Sequence, residues 1–191
     1  RFYYPGQLHP GTAVDLPDAV ARHACRALRL SEGDALTLFD GRGGEYSACI
    51  VAAGRAGVTV RLLEWRDCER ESVLPITLIQ ALQTGDKMDA TVQKAVELGV
   101  ARIVPVQYRR SVLRLAGERA DRRAAHWRAV AVSACEQCGR NRLPVVEEIV
   151  DLARWLALPP ASPVLRLVLS PAATDGLHTL APLSPLGVGT G

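Results

Sequence analysis

Residues 75–106 pass from an apolar run, through a helical pattern, to a second apolar run. The first run, 75–82, reads as a strand. Over 86–98 the apolar positions recur at helical spacing, so that Val92, Ala95, Val96 and Leu98 can face a core. Lys87, Lys94 and Glu97 fall on or near the polar side. Gly85-Asp86 opens this helix and Gly99 closes it. The run at 103–106 is the next strand. Strand, helix, strand is a βαβ unit, which builds parallel sheets with sites at the strand ends.

The pattern continues in the same style downstream. Residues 118–138 read as one long helix, with Trp127, Val130, Ala131 and Ala134 at i, i+3, i+4 and i+7, and Gly139 placed to stop it. An extended stretch at 143–147, a short helix at 152–156 and a strand at 164–169 follow, the last two separated by Pro159-Pro160 and Pro163. Residues 181–191, rich in Pro, Gly and Ser, read as loose.

The front of the chain has a different pattern. Short strands are expected at 1–4, 12–16, 35–39, 45–52 and 58–65, with a helix at 19–28 after Pro17. Asp40-Gly-Arg-Gly-Gly44 supplies the positive φ of a hairpin loop. Short strands with glycine turns every ten or so residues predict a small β-barrel. The polar run 67–72 is the best boundary between the two modules.

Composition narrows the class without naming a chemistry. The 191 residues are 48% hydrophobic and 23% charged, an ordinary globular balance. No apolar run approaches the ~20 residues of a membrane span. The opening Arg1-Phe-Tyr-Tyr-Pro5 has no secretory pattern, so a cytoplasmic protein is expected. The five cysteines have no disulfide-like spacing, and Cys135-Glu-Gln-Cys138 lies within the long helical pattern, where a structural role is expected. Net charge is only +3, but residues 102–142 hold ten arginines against three acidic residues. That local excess of +7 points to a polyanion.

Several motifs are excluded. Asp40–Gly44 lacks the G-x-G-x-x-G of a dinucleotide loop and sits between strands. Thr84-Gly-Asp-Lys87 lacks the upstream glycine and the following Ser/Thr of a P-loop. The histidines form no triad or metal-ligand spacing, and no metal is expected. Arg119, Arg122 and Arg123 read equally as a solvated helix face or as phosphate contacts. Glu136-Gln-Cys-Gly-Arg140-Asn-Arg142 gathers a carboxylate, two carboxamides and two guanidiniums at a helix end. Such a set can clamp phosphate and read a base edge, or form a C-cap cluster.

Taken together, Gly85-Asp-Lys87-Met, Gln93-Lys94-x-x-Glu97-Leu-Gly99-Val100, Arg110-Ser111 and Ala134-Cys-Glu136-Gln137-Cys-Gly-Arg140-Asn141 resemble the RsmE-type rRNA (uridine-N3) methyltransferases of the SPOUT superfamily. Arg1-Phe-Tyr, His23-x-x-x-x-Leu28-Arg29-Leu-x-x-Gly33-Asp34 and Phe39-Asp-Gly41-x-Gly43 resemble that family's PUA-like domain. The resemblance implies an α/β protein with a PUA-like RNA-binding β-barrel over 1–70 and a trefoil-knot methyltransferase domain over 74–191. It implies S-adenosyl-L-methionine as cofactor, N3 of a uridine in 16S ribosomal RNA of the small subunit as target, and a homodimer. The family's Gly-Pro-Glu-Gly-Gly cofactor motif is not in this sequence, and the knot segment is expected beyond Gly191.

The same resemblance supplies the site expectations. Arg1, His23 and Arg29 would contact RNA from the front module. Lys87, Lys94, Arg109, Arg110 and Arg142 would meet RNA phosphates. Gln93, Glu136, Gln137 and Arg140 would orient the base or brace the site, and Gln93, Glu136 and Arg140 are the catalytic candidates. Leu169, Ser170 and Pro171 would form the first wall of the cofactor pocket. A non-catalytic RNA-binding or ribosome-assembly module, and an α/β enzyme on a small metabolite, are the competing readings.

Overall fold

The computed structural model describes residues 1–55, 57–109, 113–159, 164–170, 172–174 and 176. In the front half, the strands form where alternation predicts them: β1 (Phe2–Tyr3), β2 (Ala13–Asp15), β3 (Ala35–Phe39), β4 (Glu45–Gly54) and β5 (Gly57–Arg66). They make one sheet in the order β1-β3-β4-β5-β2, with β1 parallel to β3 and the remaining pairs antiparallel. The β4–β5 ladder changes register twice, between Tyr46 and Ala48 and between Ile50 and Ala52. Such irregularities add twist and bend, which curls the sheet around its apolar face. Leu36, Leu38, Ala48, Ile50, Val58, Val60 and Leu62 line that face.

The helix expected at 19–28 divides in two. An α-helical part, α1 (Asp18–Arg22), runs into a π-helical turn over His23–Ala27. The Leu28 amide reaches back five residues to the His23 carbonyl oxygen at 3.2 Å, and the wider turn keeps Ala24 in the core. Arg29 follows at φ 56°, the described non-glycine residue in the left-handed region.

The second half is built from two parallel crossovers. β6 (Thr77–Ala81), α2 (Lys87–Glu97), β7 (Arg102–Gln107) and α3 (Glu118–Cys138) lead to two short strands, β8 (Val145–Val146) and β9 (Val150–Asp151). β7 is central: β6 lies along one edge, and β8 and then β9 pair with successive parts of it, all parallel. A last short helix, α4 (Leu152–Ala157), completes the unit Arg1–Ala157.

A second core lies between α2, α3 and the sheet. α2 contributes Met88, Val92, Ala95 and Val96; α3 contributes Trp127, Ala131, Ala134 and Cys135; Ile103 and Val146 come from the strands. Two expectations are corrected here. Leu98 is 78% exposed, because the helix has ended and the chain turns at Gly99 (φ 87°), while Met88 fills the place one turn before Val92. Residues 164–170 form no strand; Val168 and Leu169 are exposed and, among the described residues, have no ladder partner of the kind an apolar alternation needs. They belong to a separate unit, Leu158–Gly191.

Candidate functional site

The helix-end cluster singled out in the sequence is a junction. α3 stops at Gly139, whose φ of 89° lets its amide return to the Cys135 carbonyl oxygen. The next three residues then meet partners far away in the chain. Arg140 is buried: Nε donates to both Glu71 carboxylate oxygens at 3.1 Å, Nη2 also meets Glu71, and Nη1 donates to the carbonyl oxygens of Val96 (3.0 Å) and Val100 (2.9 Å). One guanidinium thus holds a carboxylate of the 67–72 run and satisfies carbonyls at the end of α2. Burial works against its charge, but the Glu71 hydrogen bonds and charge outweigh this and raise the guanidinium pKa.

Asn141 is fully buried beside it. Its Nδ2 donates to the Cys68 carbonyl oxygen at 2.6 Å, and its Oδ1 accepts from Arg70 at 3.3 Å and from Arg1. Arg1 also pairs with Glu45, donates to the Arg140 carbonyl oxygen at 2.8 Å, and stacks 4.2 Å from the centre of the Phe39 ring. Burial lowers the Arg1 pKa, with Glu45 opposing. Glu45 is shared with Arg70 at 3.0 Å, and hydrogen bonding to Arg70, with the charge of Arg1 added, holds its carboxyl below the usual range. Glu136 accepts the Tyr3 amide at 2.9 Å, fixing β1 against the end of α3.

The glycine loop closes the same junction. Arg42 and Arg142 form an antiparallel bridge, Gly43 N donates to Asn141 O at 3.3 Å, and Leu143 N donates to Gly41 O at 3.2 Å. A Cβ on Gly43 would stand 2.9 Å from the Arg142 guanidinium, and one on Gly41 3.0 Å from the Leu143 side chain. The loop is therefore a docking surface for residues 141–143, which is why Asp-Gly-x-Gly is needed there.

The comparisons with known proteins bear on what this junction supports. The family model described as an RNA methyltransferase domain matches residues 70–187, and one described as an RNA methyltransferase PUA domain matches 16–63. The chain belongs to the RNA methyltransferase family. Among solved structures, ribosomal RNA small subunit methyltransferase E of Neisseria gonorrhoeae, bound to S-adenosyl methionine, is 42% identical with a TM-score of 0.79. That match covers 84% of this chain and 66% of the other. A methyltransferase of Legionella pneumophila, in complex with bound SAM, is 33% identical with a TM-score of 0.88, covering 94% and 74%. Ribosomal RNA small subunit methyltransferase E of Bacillus subtilis is 27% identical over 78% of this chain and 59% of its own length. The chain spans about three-fifths of the length of the first curated relatives it matches.

Within this member of the family the expected site residues fall into separate groups. Arg1, Glu136 and Arg140 are brought together at the junction, with their polar atoms directed to protein partners. Gln93 and Lys94 lie on the exposed side of α2, where Gln93 Nε2 (2.9 Å) and Lys94 Nζ (2.7 Å) both donate to Glu97. Lys87 is exposed at the first turn of α2, and Gln137 and Arg142 are exposed near the end of α3. Arg142 is held by Glu69 at 3.1 Å. His23 is exposed with its ring edge-on to Phe2, 5.9 Å between centroids. Arg29 is exposed, and Arg109 is exposed with its carbonyl oxygen accepting from Arg114 at 2.6 Å. Arg110 and Pro171 lie outside the described residues. Leu169 and Ser170 are exposed in the separate unit.

Sequence reasoning missed Glu45, Cys68, Arg70 and Glu71. The signal for the last two was present: Glu69-Arg70-Glu71 alternates in charge and faces Arg142, Asn141 and Arg140 in reverse order. No helix among the described residues is long and apolar enough to cross a membrane.

Proposed function

We propose that the protein transfers a methyl group from S-adenosyl-L-methionine to N3 of a uridine in 16S rRNA of the small ribosomal subunit. The observation that carries this reading is the likeness to the SAM-bound Legionella methyltransferase over 94% of the chain. The curated relatives named ribosomal RNA small subunit methyltransferase E add the substrate class. Cytoplasmic location and a homodimer belong to the same reading.

The residues expected to wall the cofactor do not form a pocket among the described residues. Leu169 is 86% exposed, and Ser170 beside it is exposed. The cofactor, when bound, supplies the methyl group. What this chain contributes is RNA placement. The exposed Lys87, Gln93 and Lys94 of α2, with Gln137 and Arg142 near the end of α3, are the groups for holding phosphate and orienting the base. Glu136 and Arg140 brace the frame behind them.

The test is methyl transfer by the full gene product to small ribosomal subunits lacking the modification, with nucleoside mass spectrometry locating the methyl. N3-methyluridine that appears only with S-adenosylmethionine supports the reading. RNA binding without methyl transfer would replace it with the non-catalytic RNA-binding module.

A further inference from the structure

The basic groups that the junction does not use gather on the other half of α3. Arg119, Arg122, Arg123 and His126 stand at i, i+3, i+4 and i+7, one stripe of the helix. At about 100° per residue this stripe points roughly 100° away from the apolar face of Trp127, Ala131 and Ala134. With Leu115 these four side chains line a groove of about 400 Å³. Leu115 is fixed there because its amide donates to Gln107 Oε1 at 3.1 Å. His126 is fixed by Asp89 of α2, its Nε2 lying 2.7 Å from Asp89 Oδ2.

The local acids do not cancel the charge. Glu118 meets Arg122 at 3.4 Å on the rim, Asp89 is occupied by His126, and Asp121 projects from the opposite side of α3. Among the described residues neither Arg119 nor Arg123 forms an ion pair. Three guanidiniums with one rim carboxylate, in a solvent-open groove, suit a ligand carrying repeated negative charge rather than an isolated carboxylate.

The geometry points to this groove as a second RNA-binding site, which grips the phosphodiester backbone some distance from the target base. The inference rests on the RNA methyltransferase reading. Arg123 and exposed Gln137 are fourteen residues apart on α3, about 21 Å at 1.5 Å per residue and about 40° apart around its axis, so one strand laid along the helix reaches both. The phosphates fix register, and recognition of the base is left to the far end.

The experiment is fluorescence anisotropy of the full chain with a labelled single-stranded oligoribonucleotide over a range of salt. Arg119→Ala with Arg123→Ala removes two contacts, so the slope of log affinity against log salt should fall by about 1.4 and the affinity by about 25-fold at about 0.1 M salt. The corresponding lysine pair should keep most of the slope, and exposed Arg154→Ala on α4 should leave it near the parent value. All of these changes are at exposed residues, and circular dichroism checks the fold. An unchanged slope in the alanine pair, with RNA still bound by the parent, overturns the groove and leaves the methyltransferase reading standing. No RNA binding by the parent at any salt overturns both. Competition by polyglutamate equal to that by RNA, charge for charge, shows a protein-type polyanion instead and overturns the assignment.

Discussion

Arg140 reaches Glu71 across 69 residues of sequence, through Nε at 3.1 Å to each carboxylate oxygen and through Nη2 as well. Removing one partner leaves a charge inside the protein without compensation, which costs about 3–5 kcal/mol. Glu71→Ala should therefore lower the midpoint of denaturant unfolding strongly. Arg140→Lys should not restore stability, because one ammonium cannot serve Glu71 and the carbonyls of Val96 and Val100 together. Equal midpoints for Arg140→Lys and the parent would refute the staple.

Glu45 sets the direction of acid sensitivity. Its carboxyl is held below its ordinary value of 4.5, first by hydrogen bonding to Arg70 and then by the charge of Arg1, with burial opposing. A depressed carboxyl pKa contributes stability that is present above about pH 4.5 and is lost as pH falls through the folded value. Glu45→Gln should destabilise the protein at neutral pH by about 2 kcal/mol. It should also flatten the fall in stability below about pH 4.5. Parallel curves for variant and parent in that range would show that Glu45 is not a source of the acid limb.

The difference between what the sequence disclosed and what it hid follows from range. The bounds of α3 were readable because the stripe from Trp127 to Ala134 and the stop at Gly139 are properties of neighbouring residues. β3 was readable for the same reason, by alternation over five residues. Leu98 was misplaced because helical phase ceases to apply one residue past the last turn. Arg1 reads as an RNA contact, Arg140 as a group that orients the base or braces the site, and Asn141 as part of a cluster open to either use, because a polar residue at an element's end looks the same whether it faces solvent or a buried partner. Their partners, Glu45, Glu71 and Cys68, lie 44, 69 and 73 residues away. The hydrogen bonds of Arg1, Arg140 and Asn141 join the two halves.

Gly44 should tolerate substitution poorly for two independent reasons. Its φ is 66°, which costs a side-chain-bearing residue about 1–2 kcal/mol. A Cβ there would also stand 2.5 Å from Trp65 Nε1 and 2.9 Å from the Arg66 carbonyl oxygen, and the latter cannot rotate away. Gly44→Ala should cost more than about 2 kcal/mol. Gly33→Ala, at φ 90° with open space around it, should cost only the backbone part. Comparable thermal midpoints for the two variants would remove the steric argument.

Lys94 separates binding from stability. Its pair with Glu97 is at the surface, where solvent screening leaves such pairs with little effect on stability. Lys94→Ala should leave the unfolding midpoint nearly unchanged while the salt slope for oligoribonucleotide binding falls by about 0.7, the share of one phosphate contact. An unchanged slope would return Lys94 to the role of a helix-surface partner.

Cys135 and Cys138 share a C-x-x-C spacing but stand in opposite environments. Cys135 is buried in the core of α2 and α3, and burial pushes its thiol up to about 12; Cys138 is exposed one turn later. Reaction requires the thiolate and access to it. A thiol reagent at about pH 8 should therefore label Cys138 in the native protein. It should reach Cys135 only after denaturant is added. Peptide mapping by mass spectrometry checks this directly. Equal labelling of both cysteines in the native state, or a disulfide between them, would contradict a packed Cys135. Cys135→Ala should lower stability by about 1 kcal/mol through lost packing, while Cys138→Ala should leave it unchanged, a contrast that a redox pair would not produce.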